Sequence, residues 1–155
     1  MVITGDVTAT GTIRSAAAGQ VLNVTMLPPN ATGSVTISTT SFTNVAQISY
    51  TPVSSNSYIL IEYITAYSIP GSNIDEFGSE INVGGSQLTY GYQRFEGAAG
   101  GGGRSGTLFP LMARYTNSST SAITINVNAR RINSDDNMAV YRDASSWFKI
   151  TEIAR

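Results

Sequence analysis

Ala122-Ile123-Thr124-Ile125-Asn126-Val127-Asn128 alternates β-branched apolar residues with small polar ones. A strand turns successive side chains to opposite faces, so this stretch has one face made for a core and one made for water. Ser34-Val35-Thr36-Ile37-Ser38 repeats the pattern. Moving outward, the same reading predicts strands at Val21–Met26, Val45–Thr51, Tyr58–Tyr67, Glu80–Val83, Leu88–Phe95, Leu108–Tyr115, Met138–Tyr141 and Phe148–Ile153. Turn-forming residues separate them at Pro28-Pro29-Asn30, Pro52 to Ser57, Pro70-Gly71-Ser72-Asn73, Gly84-Gly85-Ser86, Asn117–Ser121 and Asn133–Asn137. No window holds helical spacing over three turns, and the short Ala-rich Ser15–Gln20 reads as a loop turn. Many short strands at this spacing predict an all-β fold, a sandwich or a barrel. Ile59 and Ile61 alternate with Leu60 and Glu62 in one strand, so one of these sets should face inward, and Ile123, Ile125 and Val127 should do the same from a facing or neighbouring strand.

Composition narrows the chemistry. The chain has 155 residues, 41% apolar and 12% charged, with a formal net charge of −1. That length suits one domain with a real core. There is no Cys and no His, which excludes a disulfide framework, a thiol nucleophile, a Ser-His triad and a His-ligated metal. The ligand types left suit hard cations at most, so no cofactor is expected. The balanced charge argues against a nucleic-acid partner held by charge neutralisation. The longest apolar run, Tyr58-Ile59-Leu60-Ile61, stops at Glu62, far short of the roughly 20 residues of a membrane helix. Ser, Thr and Asn supply solubility in place of charge.

Local motifs give little chemistry. The run Gly97-Ala98-Ala99-Gly100-Gly101-Gly102-Gly103-Arg104-Ser105-Gly106 lacks the Lys and the following helix of a phosphate loop, and reads as a flexible loop. Acidic residues gather at Asp135-Asp136 and at Asp75-Glu76 with Glu80, read as turns, where a surface cation is the one metal reading left open. Carboxylate pairs also cleave glycosides, but sequence does not fix their separation. Lys149, the only Lys, should face solvent from an alternating strand, and Arg130-Arg131 is a charge pair at a strand end. Tyr63, Tyr67, Tyr90, Tyr92 and Tyr115 are numerous; such residues build core, sheet surface, or a face for sugar or protein.

Residues 1–18 differ from 19–155, and we expect an extended arm or stem followed by the sandwich domain. Ile3-Thr4-Gly5-Asp6-Val7-Thr8-Ala9-Thr10-Gly11-Thr12-Ile13 alternates but has few large apolar groups. Ordering a residue costs roughly 1–2 kcal/mol of backbone entropy. Burial of the arm's few large side chains at about 1.5–3 kcal/mol each does not offset that without hydrogen bonds from a partner strand. The arm should therefore contact a neighbour, with Ile3, Val7, Thr10 and Ile13 as the expected interface residues.

Gly19-Gln20-Val21-Leu22-Asn23-Val24, Thr39-Thr40-Ser41-Phe42-Thr43-Asn44-Val45, Ile48-Ser49-Tyr50-Thr51-Pro52 with Ser54–Ile61, and the closing Trp147-Phe148-Lys149-Ile150-Thr151-Glu152-Ile153-Ala154 occur in that order. This series resembles the C-terminal β-domain of tail-fibre-like and other virion structural proteins of tailed bacteriophages, cyanophages especially. There a GQV(L/I)QV opening, a TSFTDV centre running on to SSKILI, and an ITLMEIA end recur. Thr4–Ile13 also looks like the stems that precede such domains. Tyr58 departs from the usual Lys, and Leu108–Tyr115 matches the family's YLDSP strand pair poorly. No anchoring domain precedes the stem-like stretch in this sequence. The resemblance implies an antiparallel two-sheet jelly-roll-like sandwich with an N-terminal extended arm, assembled as a homotrimer on the exterior of a virion, non-enzymatic, decorating and stabilising the capsid as a cement protein. Its partners would be other copies of itself and the major capsid protein or tail components, with no membrane partner. The alternative it implies is a short tail or head fibre that binds a host-surface glycan or protein receptor.

Overall fold

The computed structural model describes residues 17–70, 75–95, 104–107, 111–133, 136–142 and 146–155. Among these, twelve strands run in chain order: β1 (Val21–Leu27), β2 (Ser34–Ile37), β3 (Thr43–Tyr50), β4 (Ser57–Ile64), β5 (Ala66–Ile69), β6 (Asp75–Val83), β7 (Ser86–Phe95), β8 (Arg104–Thr107), β9 (Leu111–Asn117), β10 (Ile123–Asn133), β11 (Met138–Tyr141) and β12 (Trp147–Ala154). They form three antiparallel four-stranded sheets: a front sheet β1-β12-β4-β9, a back sheet β3-β10-β6-β7 and an end sheet β2-β11-β5-β8.

The strand order defines the fold. Eight longer strands, β1, β3, β4, β6, β7, β9, β10 and β12, make the two main sheets. Numbered first to eighth along the chain, the front sheet holds the first, eighth, third and sixth. The back sheet holds the second, seventh, fourth and fifth. That interleaving is a jelly roll. The four short strands lie in the four connections that cross between sheets on one side of the roll, and there they pair into the end sheet. At the opposite end the connections are short loops: 51–56, Gly84-Gly85 and 118–122. Gly84 and Gly85 both have positive φ, 58° and 89°, which a two-residue hairpin turn requires and a side chain resists.

Alternation places the core where the sequence predicts it. Ile59, Ile61 and Tyr63 of β4, Ile125 and Val127 of β10, and Phe148 and Ile150 of β12 are buried between the sheets. Ile123 is only half-buried, packed against the core at the start of β10. Thr65 makes the step from front sheet to end sheet. Its buried hydroxyl donates to the Tyr141 carbonyl and lies 2.7 Å from the Ser146 hydroxyl.

Three sequence expectations need correction. The run Tyr58–Tyr67 is two strands, because the chain changes sheets at Thr65 without losing its alternation. The strand expected at Glu80–Val83 begins at Asp75. Pairing with β10 on one side and β7 on the other carries Asp75-Glu76-Phe77-Gly78 into the sheet against poor local propensity. Asp75, Glu76 and Glu80 are thus strand residues, not turn residues. Part of the glycine-rich loop, Arg104–Thr107, is strand β8, held by its register with Ala66–Ile69. Of the strand expected at Leu108–Tyr115, residues 108–110 lie outside the described residues and the rest is in β9.

Candidate functional site: two unlike sheet faces

Each main sheet turns one face inward and one outward, and the two outward faces differ in chemistry.

On the front sheet, register sets residues in rows. Val21, Ile153, Tyr58 and Thr116 form one; Val24, Thr151, Leu60 and Arg114 the next; Met26, Lys149, Glu62 and Met112 the third; Trp147 and Ile64 lie beyond. Val21, Val24, Met26 and Met112 are each more than half exposed. Charge on this face is largely neutralised within it. Lys149 does face outward, and its Nζ lies 2.8 Å from the Glu62 carboxylate. The Arg114 guanidinium sits 4.8 Å over the Tyr58 ring. A shallow groove of about 310 Å³ crosses the face, lined by Leu60, Ile61, Glu62, Met112, Ala113 and Arg114. β1 is the edge strand, and among the described residues nothing pairs with its outer side. Edge strands are usually guarded by charge or proline. Val21–Leu27 carries neither.

On the back sheet the outward row Asn44–Asn128–Glu80–Tyr90 runs straight across all four strands. The Asn44 amide donates to Asn126 Oδ1 at 3.2 Å and to Asn128 Oδ1 at 3.1 Å, and the Asn128 amide donates to Glu80 at 2.8 Å. The neighbouring row sets Arg130, Gly78 and Tyr92 side by side. Phe42 meets Tyr90 edge to face at 6.4 Å, and the Arg130 guanidinium lies 4.8 Å from the Phe42 ring centre. Gly78 lets the Tyr90 ring lie across the sheet: a Cβ there would stand 2.5 Å from the Tyr90 hydroxyl. Tyr92 is raised above its ordinary pKa, chiefly by its hydrogen bond to Glu76. Arg94 Nε is 4.0 Å from the same carboxylate.

Between the faces, where β7 and β9 approach, a cleft of about 360 Å³ is lined by Ser79, Thr89, Gly91, Tyr92, Gln93, Leu111 and Met112. Its lining offers hydroxyls, an amide and apolar groups, and no carboxylate, Lys or Arg.

One polar centre is internal. Glu152 is fully buried, and its carboxylate accepts hydrogen bonds from the Tyr50 hydroxyl (2.8 Å), the Val53 amide (2.9 Å), the Ser54 amide (3.0 Å) and the Ser57 hydroxyl (2.7 Å). Burial alone would raise its pKa. The bonds from Val53, Ser57, Tyr50 and Ser54 outweigh burial and hold it below the ordinary value. This centre ties loop 51–56 and the back sheet to β12. Its acceptor capacity is filled, which makes it structural.

The structure brings together some predicted residues and separates others. Of the tyrosines, Tyr63 and Tyr67 are buried, Tyr115 is half-buried, and Tyr90 and Tyr92 share the back face. Glu76 and Glu80 lie four residues apart on the outward side of one strand, Glu76 half-buried and Glu80 almost wholly covered, while Asp75 is buried, and among the described residues no three acidic groups gather as a metal site. Asp135, and the arm residues Ile3, Val7, Thr10 and Ile13, lie outside the described residues. Sequence reasoning missed the Asn44–Asn128–Glu80 ladder and Glu152. Parity was the available signal for Glu152, which shares its face of β12 with Phe148 and Ile150.

No family model and no curated protein matches the chain. Among solved structures it is similar to the insecticidal delta-endotoxin Cry8Ea1 of Bacillus thuringiensis (13% identity, TM-score 0.42, 77% of this chain and 19% of the toxin). It is similar to infectious bursal disease virus strain Gx (10%, 0.44, 96% and 44%). It is also similar to the CBM36-1 domain of a multidomain xylanase from the hindgut metagenome of Trinervitermes trinervoides (15%, 0.37, 83% and 96%). The chain thus spans less than a fifth of the toxin. The class stated here, a jelly-roll β-sandwich, rests on the chain's own strand order.

Proposed function

We propose that this protein is a non-enzymatic structural component of a tailed-phage virion, a homotrimer that decorates and stabilises the capsid from outside. The observation that carries the reading is the outward face of the front sheet. Val21, Val24 and Met26 stand exposed along β1, and Met112 stands exposed across the Lys149–Glu62 pair; exposed apolar side chains gathered on one sheet face mark an interaction surface. Second copies of this chain are the occupant that suits it. Lys149 and Glu62 neutralise each other on it and Arg114 lies over the Tyr58 ring, so little net charge opposes the meeting of copies. Residues 1–16 precede β1 in the sequence, and β1 is an edge of this same sheet that carries no charge and no proline. An alternating arm from a neighbour supplies the strand that such an edge accepts. The resemblance of Gly19–Val24, Thr39–Ile61 and Trp147–Ala154 to virion β-domains supports the setting. A short tail or head fibre shares this fold and differs in abundance. Quantitative staining of purified virions separates the two: the decoration reading expects hundreds of copies per particle, and a few tens or fewer would replace it with the fibre reading.

A further inference from the structure

We propose that the outward face of the back sheet is a carbohydrate-binding site for a neutral pyranose glycan, with Tyr90 and Tyr92 as stacking platforms and Asn44, Asn126 and Asn128 as hydroxyl-reading groups. The inference is independent of how copies assemble, because it uses the opposite sheet.

A pyranose ring has two kinds of surface. Its axial C–H groups form an apolar face that an aromatic ring covers, and its hydroxyls both donate and accept. The back face offers both complements at once. Tyr90 and Tyr92 are 44% and 52% exposed, large fractions for aromatic rings on a sheet that has a core to hide them in. Tyr90 is held flat by the absence of a side chain at Gly78 and propped by Phe42 and Arg130. Beside the rings runs a row of carboxamides, each able to donate and accept. These amides are fixed before any ligand arrives. Glu80, almost wholly covered, accepts from Asn128, and Asn44 bridges Asn126 and Asn128. A fixed amide loses little side-chain freedom on binding. The row from Asn44 to Tyr90 crosses three strand spacings, roughly 14 Å, room for more than one sugar ring.

Other ligand classes fit less well. A nucleic acid would bring phosphates against Glu76 and Glu80, with only Arg94 and Arg130 to oppose them. A protein partner would find amides and hydroxyls here in place of a desolvated apolar centre. An extended peptide adds to a sheet edge, not a sheet face.

The test is a printed array of neutral bacterial and plant oligosaccharides with sulfated glycans as the anionic control, followed by calorimetric titration of the strongest neutral member. We expect wild-type protein to bind neutral members. Tyr90→Ala and Tyr92→Ala should each weaken binding about tenfold or more, with unchanged circular dichroism and melting temperature. Gly78→Ala should weaken it too, because the added methyl displaces the Tyr90 ring. Absence of binding to every neutral glycan, binding confined to the sulfated members, or full affinity in both tyrosine variants would each overturn the proposal.

Discussion

At Glu152 a charged group sits where β12 should present an apolar one. A buried carboxylate without partners is costly, and four donors from β3, loop 51–56 and β4 remove that cost. Tyr50 is the donor whose removal is cleanest. Tyr50→Phe keeps the ring and deletes one bond to an ionised group, so we expect a loss of about 2 kcal/mol in denaturant unfolding. The pH dependence follows from the two shifts. Tyr50 is pushed up from 10.0 to about 12, first by burial and then by Glu152, although Asn23 opposes the rise. Its share of stability is whole below pH 10 and is lost as pH climbs toward 12. Glu152 is held below its ordinary value, so its share is present above that value and is lost as pH falls through the lower folded one. Stability measured against pH should therefore fall at both ends. Tyr50→Phe should flatten the alkaline limb and Glu152→Gln the acid limb. Unaltered limbs in both variants would show that this centre does not couple the sheets.

Among elements, what was legible depended on how local the cause is. Alternation named Ile125 and Val127 as core and narrowed β4 to one of two sets, of which Ile59 and Ile61 are the buried one, because a strand's two faces are set by its own residues. Of the end sheet, β2 and β11 were legible by the same rule, but β8 was hidden because it owes its state to a distant partner. Arg104-Ser105-Gly106-Thr107 has nothing strand-like about it until Ala66–Ile69 is laid beside it. The split of exposed from buried tyrosines was hidden for the same reason: Tyr90 and Tyr92 face outward through the register of β7 with β6, which pairs Tyr90 with Glu80. The arm belongs to this scale too. It precedes an edge strand already paired on its inner side through six residues with β12. Deleting residues 2–13 should leave the sandwich's circular dichroism and melting intact while weakening association. Unfolding on deletion would mean that the arm is a strand of its own sandwich.

Over the whole molecule, the jelly roll separates two surfaces that a single helix or hairpin could not keep apart. Connections on one side are gathered into the end sheet. The approach to β1 and the end of β12 meet at the other, where Gly19 donates to the Ala154 carbonyl at 2.8 Å. The front face, with Val24 and Met112 exposed, is available to other copies, and the back face, with Tyr90 and Tyr92, to a ligand. An interface that excludes water around Val24 and Met112 does not tolerate charge there. Both side chains are exposed in the single chain, so charging them should leave folding alone. Sedimentation velocity of the wild-type chain and of the double variant Val24→Glu/Met112→Glu at micromolar concentration tests this most directly. The account predicts a wild-type species near three times the 16.4 kDa monomer mass and a folded monomer for the variant. A monomeric wild type, or a variant that remains trimeric, would contradict it.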